Sequence, residues 1–286
     1  MKYLVTGRTG QLGHDIVKEL ARRGLTFIAP TRDDMPLEDD GQIEAYLVAA
    51  APDVVIHCAA YTAVDKAEDE PDKAWRINAE ATATIARICR KIGAVLVYIS
   101  TDYVFPGEGD APYRVNDSKG PRNVYGATKL AGEMAVRAGL DNHFIVRISW
   151  VFGINGKNFI KTMLRLGKDH RQVNVVADQI GSPTYTADAA PRIIDLAATG
   201  RYGTYHLTNE GECSWAELAG EVFRLRELPA AVKPISTEDY PAKARRPLNS
   251  RLDKENLVPA GISPMPEWPD ALRRYLKELA AKPAEV

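Results

Sequence analysis

Apolar and polar positions alternate along this chain in two rhythms. Residues 3–6 form a short unbroken apolar run, as in a buried strand, and Leu12, Ile16, Val17 and Leu20 then recur at helical spacing. The same exchange repeats: strands are predicted at 25–29, 53–57, 94–99 and 143–148, with a helix at 42–51 and another at 71–91 opened by Pro71. A further helix carries residues 123–129, while 65–70 is a polar loop and 105–122 a loop rich in Gly, Pro and Asp. Five strands alternating with helices predict an α/β doubly wound parallel sheet of the Rossmann type.

Beyond Trp150 the alternation weakens. Helices are predicted at 158–167, 186–198 and 269–279, a strand at 172–177, a turn-rich stretch at 178–184 and one more sheet strand at 203–207. Ser214 followed by Glu217 has capping-box spacing. We expect residues 1–149 plus 186–207 to form a nucleotide-binding unit, and 150–185 plus 208–286 a smaller α+β substrate unit.

Composition narrows the functions. The 286 residues are 45% hydrophobic, enough for a sizeable core, and 37 basic residues nearly balance 38 acidic ones. No nucleic-acid or membrane-surface role is indicated. Cys58, Cys89 and Cys213 lack metal-ligand spacing, and no apolar run is long enough for a signal peptide or a membrane span, so a cytoplasmic protein is expected.

Candidate chemistry clusters at the strand ends. Gly7-Arg8-Thr9-Gly10-Gln11-Leu12-Gly13 lies between a strand and a helix, where glycines let backbone N–H groups approach a pyrophosphate. The acidic residue usual after the second strand of NAD-binding folds is replaced by Thr31-Arg32, with Asp33 and Asp34 slightly late. Arg32 and Arg8 suit a 2′-phosphate, so NADPH is favoured, with NADH left open. Small residues Ala59 and Ala60 let a coenzyme pass over the third strand. Cys58 and His57 read as packed residues, and Asn78 as a holder of a water or a backbone carbonyl. Ser100-Thr101-Asp102-Tyr103 ends the fourth strand. Tyr125 and Lys129, four apart, share a helix face. An adjacent cation lowers a phenol's pKa, so the pair is a candidate acid for carbonyl reduction, with Thr101 as a second donor. Arg246 is either a phosphate clamp or a surface charge, and Trp150 either a pocket wall or a seam filler.

Together with the run 59–68, Arg147-Ile148-Ser149-Trp150, residues 158–163 and residues 178–184, these motifs resemble the extended short-chain dehydrogenases/reductases. Among them the chain is most similar to the dTDP-4-dehydrorhamnose reductase family, over nearly its whole length. The resemblance implies NAD(P)H-dependent reduction of the C4 ketone of dTDP-4-dehydro-β-L-rhamnose, giving dTDP-β-L-rhamnose for cell-surface polysaccharide. It implies that Tyr125 is the acid, that Lys129 tunes it and bonds the nicotinamide ribose, and that Thr101 orients substrate. Trp150 would contact the sugar; the stretch from Gln179 to Thr184 and Arg246 would lie toward the nucleotide diphosphate. The expected coenzyme contacts are Gly7, Arg8, Gly10, Gln11, Leu12 and Gly13, then Arg32 and Leu37, then Ala59, Ala60 and Tyr61, then Ser100, Tyr125 and Lys129. The expected substrate contacts are Thr101, Asp102, Tyr103, Trp150, Gln179 and Arg246.

Two departures and two rivals matter. Thr31 stands where the family often has an acid. Some members dimerise through Mg²⁺ held by glutamates; this chain has Asp15 near the first helix, so no metal is expected, in a monomer or a homodimer. The nearest rival enzyme is a nucleotide-sugar dehydratase or epimerase of the same fold; a dehydratase would need a carboxylate pair after Thr101, but Tyr103 follows Asp102. A non-catalytic NADP-binding regulatory subunit of the same fold has no need of intact Thr101, Tyr125 and Lys129.

Overall fold

The structure is a computed structural model that describes residues 1–281; the last residues of the expected second unit, 282–286, lie outside the described residues. Its centre is a six-stranded parallel sheet. Strands β1 (Lys2–Thr6), β2 (Thr26–Ile28) and β3 (Val54–His57) are followed by β4 (Val95–Thr101) and β5 (His143–Ile148). Then come three two-to-five-residue strands outside the sheet, β6 (Val151–Phe152), β7 (Gln172–Val176) and β8 (Ile180–Gly181), and a fourth, β9 (Thr184–Tyr185). β10 (Gly203–His206) returns to the sheet edge, giving the order β2-β1-β3-β4-β5-β10.

The order reverses between β1 and β3. Chain leaving these neighbours departs in opposite directions, so a crevice opens at their carboxyl ends, which is where open α/β sheets bind ligands. Thr6 lies beside His57 in register there, and Thr101 beside Ile148 two strands further on.

Helices cover both faces, so the inner strands β1, β3, β4 and β5 are buried on both sides. α1 (Gln11–Arg22) presents Leu12, Ile16 and Leu20 to one face. α2 (Asp40–Ala50) packs on the other face. The predicted polar loop at 65–70 begins instead with a short helix, α3 (Val64–Ala67). The helix predicted over 71–91 is interrupted: α4 (Pro71–Trp75), with its proline in the first turn, runs into a π-helical stretch (Arg76–Glu80) and then α5 (Ala81–Ile92). α6 (Val124–Gly139) follows the long loop, its start capped by Asn123 Oδ1 accepting from the Gly126 amide at 2.8 Å.

The second half builds its own core. α7 (Phe159–Asp169) lies against a ribbon of β7, and α8 (Thr186–Ala197) returns to pack on α1's face of the sheet. β11 (Cys213–Ser214) leads into α9 (Trp215–Leu225), whose Ser214–Glu217 capping box forms in both directions. β12 (Ala231–Ile235) pairs parallel with β7, and β13 (Asn249–Ser250) with β8. These strands are absent from the sequence reading: β12 contains a proline, and β11 and β13 are two residues long, too short for any rhythm. The stretch 178–184 likewise holds β8 and the start of β9 rather than turns alone. α10 (Trp268–Ala281) closes this core with Ala271, Leu272, Tyr275 and Leu276.

Candidate active site

One cavity of about 750 Å³ opens over the carboxyl ends of β1, β3, β4 and β5. The glycine turn forms its floor. Gly13 belongs to α1, and a Cβ there would lie 2.2 Å from the Gly7 carbonyl oxygen, so the turn folds this tightly only with glycine at that position. Every residue expected at the site lines this cavity except Tyr61, Gln179 and Arg246. Tyr61 gives its hydroxyl to Glu70 at 2.8 Å, and its backbone is clasped by Asn78, which accepts from the Tyr61 amide at 2.8 Å and donates to its carbonyl at 3.1 Å. The backbone-holding role read for Asn78 is thus realised, and its amide also reaches Thr128 Oγ1 on α6. His57 is packed between the hydroxyls of Thr6 and Thr82, and burial holds its imidazole down at about 3.

After β2 the charges divide. Arg8 and Arg32 both line the cavity; Arg8 also donates to the Ala29 carbonyl, and Arg32 pairs with Glu38. Asp34 folds back instead, accepting from the Thr31 amide at 2.8 Å and the Thr31 hydroxyl at 2.7 Å. Its carboxylate closes a local turn rather than lining the cavity.

At the end of β4, buried Thr101 donates to Asp102 Oδ1 at 3.0 Å and accepts from the Tyr103 amide. Asp102 is buried, and burial raises its carboxyl to about 6, with the Ser250 and Thr101 hydroxyls acting the other way. The Tyr103 and Tyr125 rings meet edge to face at 5.5 Å.

α6 brings Tyr125 and Lys129 to the same cavity, as their spacing predicts. Their electrostatics differ from the sequence expectation. The Tyr125 phenol is raised, first by burial and then by Asp102 and Tyr103, with the Thr101 hydroxyl acting the other way. Lys129 is not among the groups acting on it. Its ammonium donates to the Ile99 carbonyl at 2.7 Å, lies 4.0 Å from the Tyr98 ring centre, and is lowered by burial to about 7. Loss of water dominates at both groups, so the phenol here holds its proton firmly.

Trp150 lines the cavity with φ +48°, a left-handed conformation rare for a large side chain. It is held there by face-to-face stacking on Trp215 at 3.7 Å. Gln179 stands behind this stack, accepting from Trp215 Nε1 at 3.1 Å. Arg246 sits behind Tyr103, donating to its hydroxyl at 3.4 Å and to Asp65 at 2.5 Å. Neither side chain reaches the cavity lining.

Lys157 also lines the cavity and was not singled out from sequence. The loop bearing it is tied to the glycine turn by Asn155 donating to the Thr9 carbonyl at 2.7 Å, a contact across 146 positions with no local signal. Among the described residues no group of three or more His, Cys, Asp or Glu side chains is placed to hold a metal ion, and no helix is long and apolar enough to cross a membrane.

Comparison with known proteins matches residues 1–281 to the family model described as the RmlD substrate binding domain. A dTDP-4-dehydrorhamnose reductase of Streptomyces griseus is 43% identical over 288 residues, covering 98% of this chain and 95% of the relative. The crystal structure of a dTDP-4-dehydrorhamnose reductase from Clostridium acetobutylicum superposes with a TM-score of 0.95 at 40% identity, covering 98% of this chain and all of that one. That of the Bacillus anthracis enzyme, in complex with NADP, gives 0.94 at 42%, covering 97% and 99%.

Proposed function

The chain belongs to the RmlD substrate-binding-domain family, and from that premise we propose that it reduces the C4 ketone of dTDP-4-dehydro-β-L-rhamnose with NADPH. The observation that carries this reading is the convergence of Thr101, Tyr125 and Lys129 on the cavity that the glycine turn floors. Residues 1–149 plus 186–207 form the coenzyme unit in this reading, and 150–185 plus 208–281 the sugar-nucleotide unit.

The residues present suit a dinucleotide. A side chain at Gly13 would collide with the turn itself, so glycine there keeps the turn tight enough for a pyrophosphate to approach the backbone at the helix start. Arg8 and Arg32 offer cations for a 2′-phosphate while Asp34 is spent on its own turn, which supports NADPH over NADH. When bound, the reduced nicotinamide supplies a hydride.

Tyr125 enters the reaction protonated, because burial keeps its phenol above the usual range. It gives that proton to the sugar oxygen as negative charge develops there. Thr101 directs the same oxygen by hydrogen bonding, and a cationic Lys129 offsets the phenolate left behind. Trp150, fixed by Trp215, forms an apolar wall for the sugar.

The test supplies dTDP-4-dehydrorhamnose and follows coenzyme absorbance. Stoichiometric loss of NADPH is expected. An altered sugar without net NADPH loss would point to an epimerase or dehydratase, and coenzyme binding without sugar chemistry to a regulatory subunit. Tyr125→Phe should keep NADPH affinity within a few-fold and lower kcat by roughly 10²–10⁴; near-normal turnover would remove Tyr125 as the acid.

A further inference from the structure

The Tyr125–Lys129 stripe continues one helical turn further, to Glu133, and a second turn, to Arg137. Glu133 is fully buried and so is its partner Arg147, on β5. The pair is bidentate: Arg147 Nε donates to Glu133 Oε1 at 2.7 Å and Nη2 to Oε2 at 2.7 Å. Ser100, next to Thr101, donates to Glu133 Oε1 at 2.6 Å, and Arg137 donates to Oε2 at 3.0 Å. The same Arg147 guanidinium reaches the Val115 carbonyl of the 105–122 loop at 3.0 Å and His206 Nε2 on β10 at 3.2 Å. A buried ion pair is a weak stability device, since an apolar pair of equal volume does as well or better. Its position one turn from Lys129 asks for another use.

We propose that Glu133 is a positioning residue for the Tyr125–Lys129 pair: clamped by Arg147 and Ser100, its carboxylate locks α6 to the end of β4 and sets a negative charge one helical turn from the Lys129 ammonium. This rests on the reductase reading. Among the described residues the groups facing Lys129 are Tyr98 on β4, His57 and Cys58 at the end of β3, and Tyr125 and Glu133 on α6. Burial keeps the Cys58 thiol and Tyr98 phenol protonated and the His57 imidazole neutral. Glu133 is therefore the full negative charge that opposes burial at Lys129. Around Glu133 itself stand Arg147 and Arg137, with Lys119 and a neutral His206 further out, and the Arg147 guanidinium, the Ser100 hydroxyl and Arg137 hold its carboxyl low despite burial. Without the carboxylate, burial at Lys129 would go unopposed and the ammonium would shed its proton more easily.

The test reads the Lys129 titration directly, by NMR of coenzyme-free protein carrying ¹³Cε-lysine, with the resonance assigned through Lys129→Met. In Glu133→Gln the midpoint should fall by about one unit or more. The alkaline limb of the kcat profile should move down with it, with activity above the midpoint dropping about tenfold per unit. Glu133→Asp should restore most of both. A folded Glu133→Gln protein with the wild-type midpoint would overturn the proposal. Should that variant fail to fold through its unpaired Arg147, the double variant Glu133→Gln/Arg147→Met removes both charges. The same fall is expected there, and an unchanged midpoint again overturns the proposal. A wild-type protein inert toward the keto-sugar, with the midpoint still falling in Glu133→Gln, would count against the reductase reading and for this coupling.

Discussion

Asp102 carries the sharpest conflict of any single residue. Its carboxyl is buried at the end of β4, and the neighbouring Ser250 and Thr101 hydroxyls offset only part of the cost of burial. Burial raises it to about 6, so the folded protein binds this proton more tightly than the unfolded chain does, whose aspartate titrates near ~3.9. The favourable contribution is therefore complete below that lower value and is lost as pH rises to about 6. At neutral pH the charged form costs on the order of 1–3 kcal/mol. Asp102→Asn should accordingly raise the melting temperature at pH 7.5 and leave it nearly unchanged at pH 4, while turnover falls. Equal shifts at the two pH values would show that the ionisation is not responsible. Strain at Trp150 is of the same kind: a left-handed backbone retained because the Trp215 stack over-determines it.

Among the elements, α6 matters most, and its placement depends on how closely it approaches its neighbours. A Cβ at Gly132 would lie 2.3 Å from the Tyr98 hydroxyl oxygen and 2.5 Å from the Asn78 carbonyl oxygen. Both obstacles are anchored, since Tyr98 donates to that same carbonyl from a buried position. Gly132→Ala must push α6 off β4, at a cost of about 1–3 kcal/mol. Because Tyr125 and Lys129 ride on the helix, kcat should fall by more than NADPH affinity does. An alanine variant that is destabilised yet turns over normally would mean that the helix seat is structural only. The π-helical stretch contributes on the other side. It places Asn78 to grip Tyr61 at both backbone groups and to bond Thr128 on α6, so one widened turn ties the β3 loop to the helix carrying Tyr125 and Lys129.

For the molecule as a whole, two apolar cores sandwich the sheet and a third lies under α7, α9 and α10. The crevice is where the sheet's topology forces a gap, so whatever fills it binds only the folded chain. NADPH at about 100 times its Kd should add about 2.7 kcal/mol, a rise of several degrees in melting temperature. With Arg8 and Arg32 facing the cavity, NADH at the same concentration should raise it less. Identical shifts would remove those arginines as the basis of coenzyme preference.

Much of this was open to reading from residue order alone. Runs of Val, Ile and Leu separated by helical spacing determine the β-α alternation, because each rhythm buries its apolar face in one way only. The glycine turn declares itself by lying between a strand and a helix, and Tyr125 and Lys129 by standing four apart. These are short-range patterns, and they survived folding intact. What residue order could not settle was set by contacts between distant segments. Asp34 is near the coenzyme side in sequence yet is consumed by Thr31. Lys157 reaches the cavity from a loop 146 positions beyond its anchor at Thr9, and Gln179 and Arg246 stop one layer behind it. The direction of the Tyr125 and Lys129 titrations belongs here too. Spacing brings a phenol and an ammonium to one helix face, but only the packed interior decides how much water each loses, and desolvation is the largest influence on both.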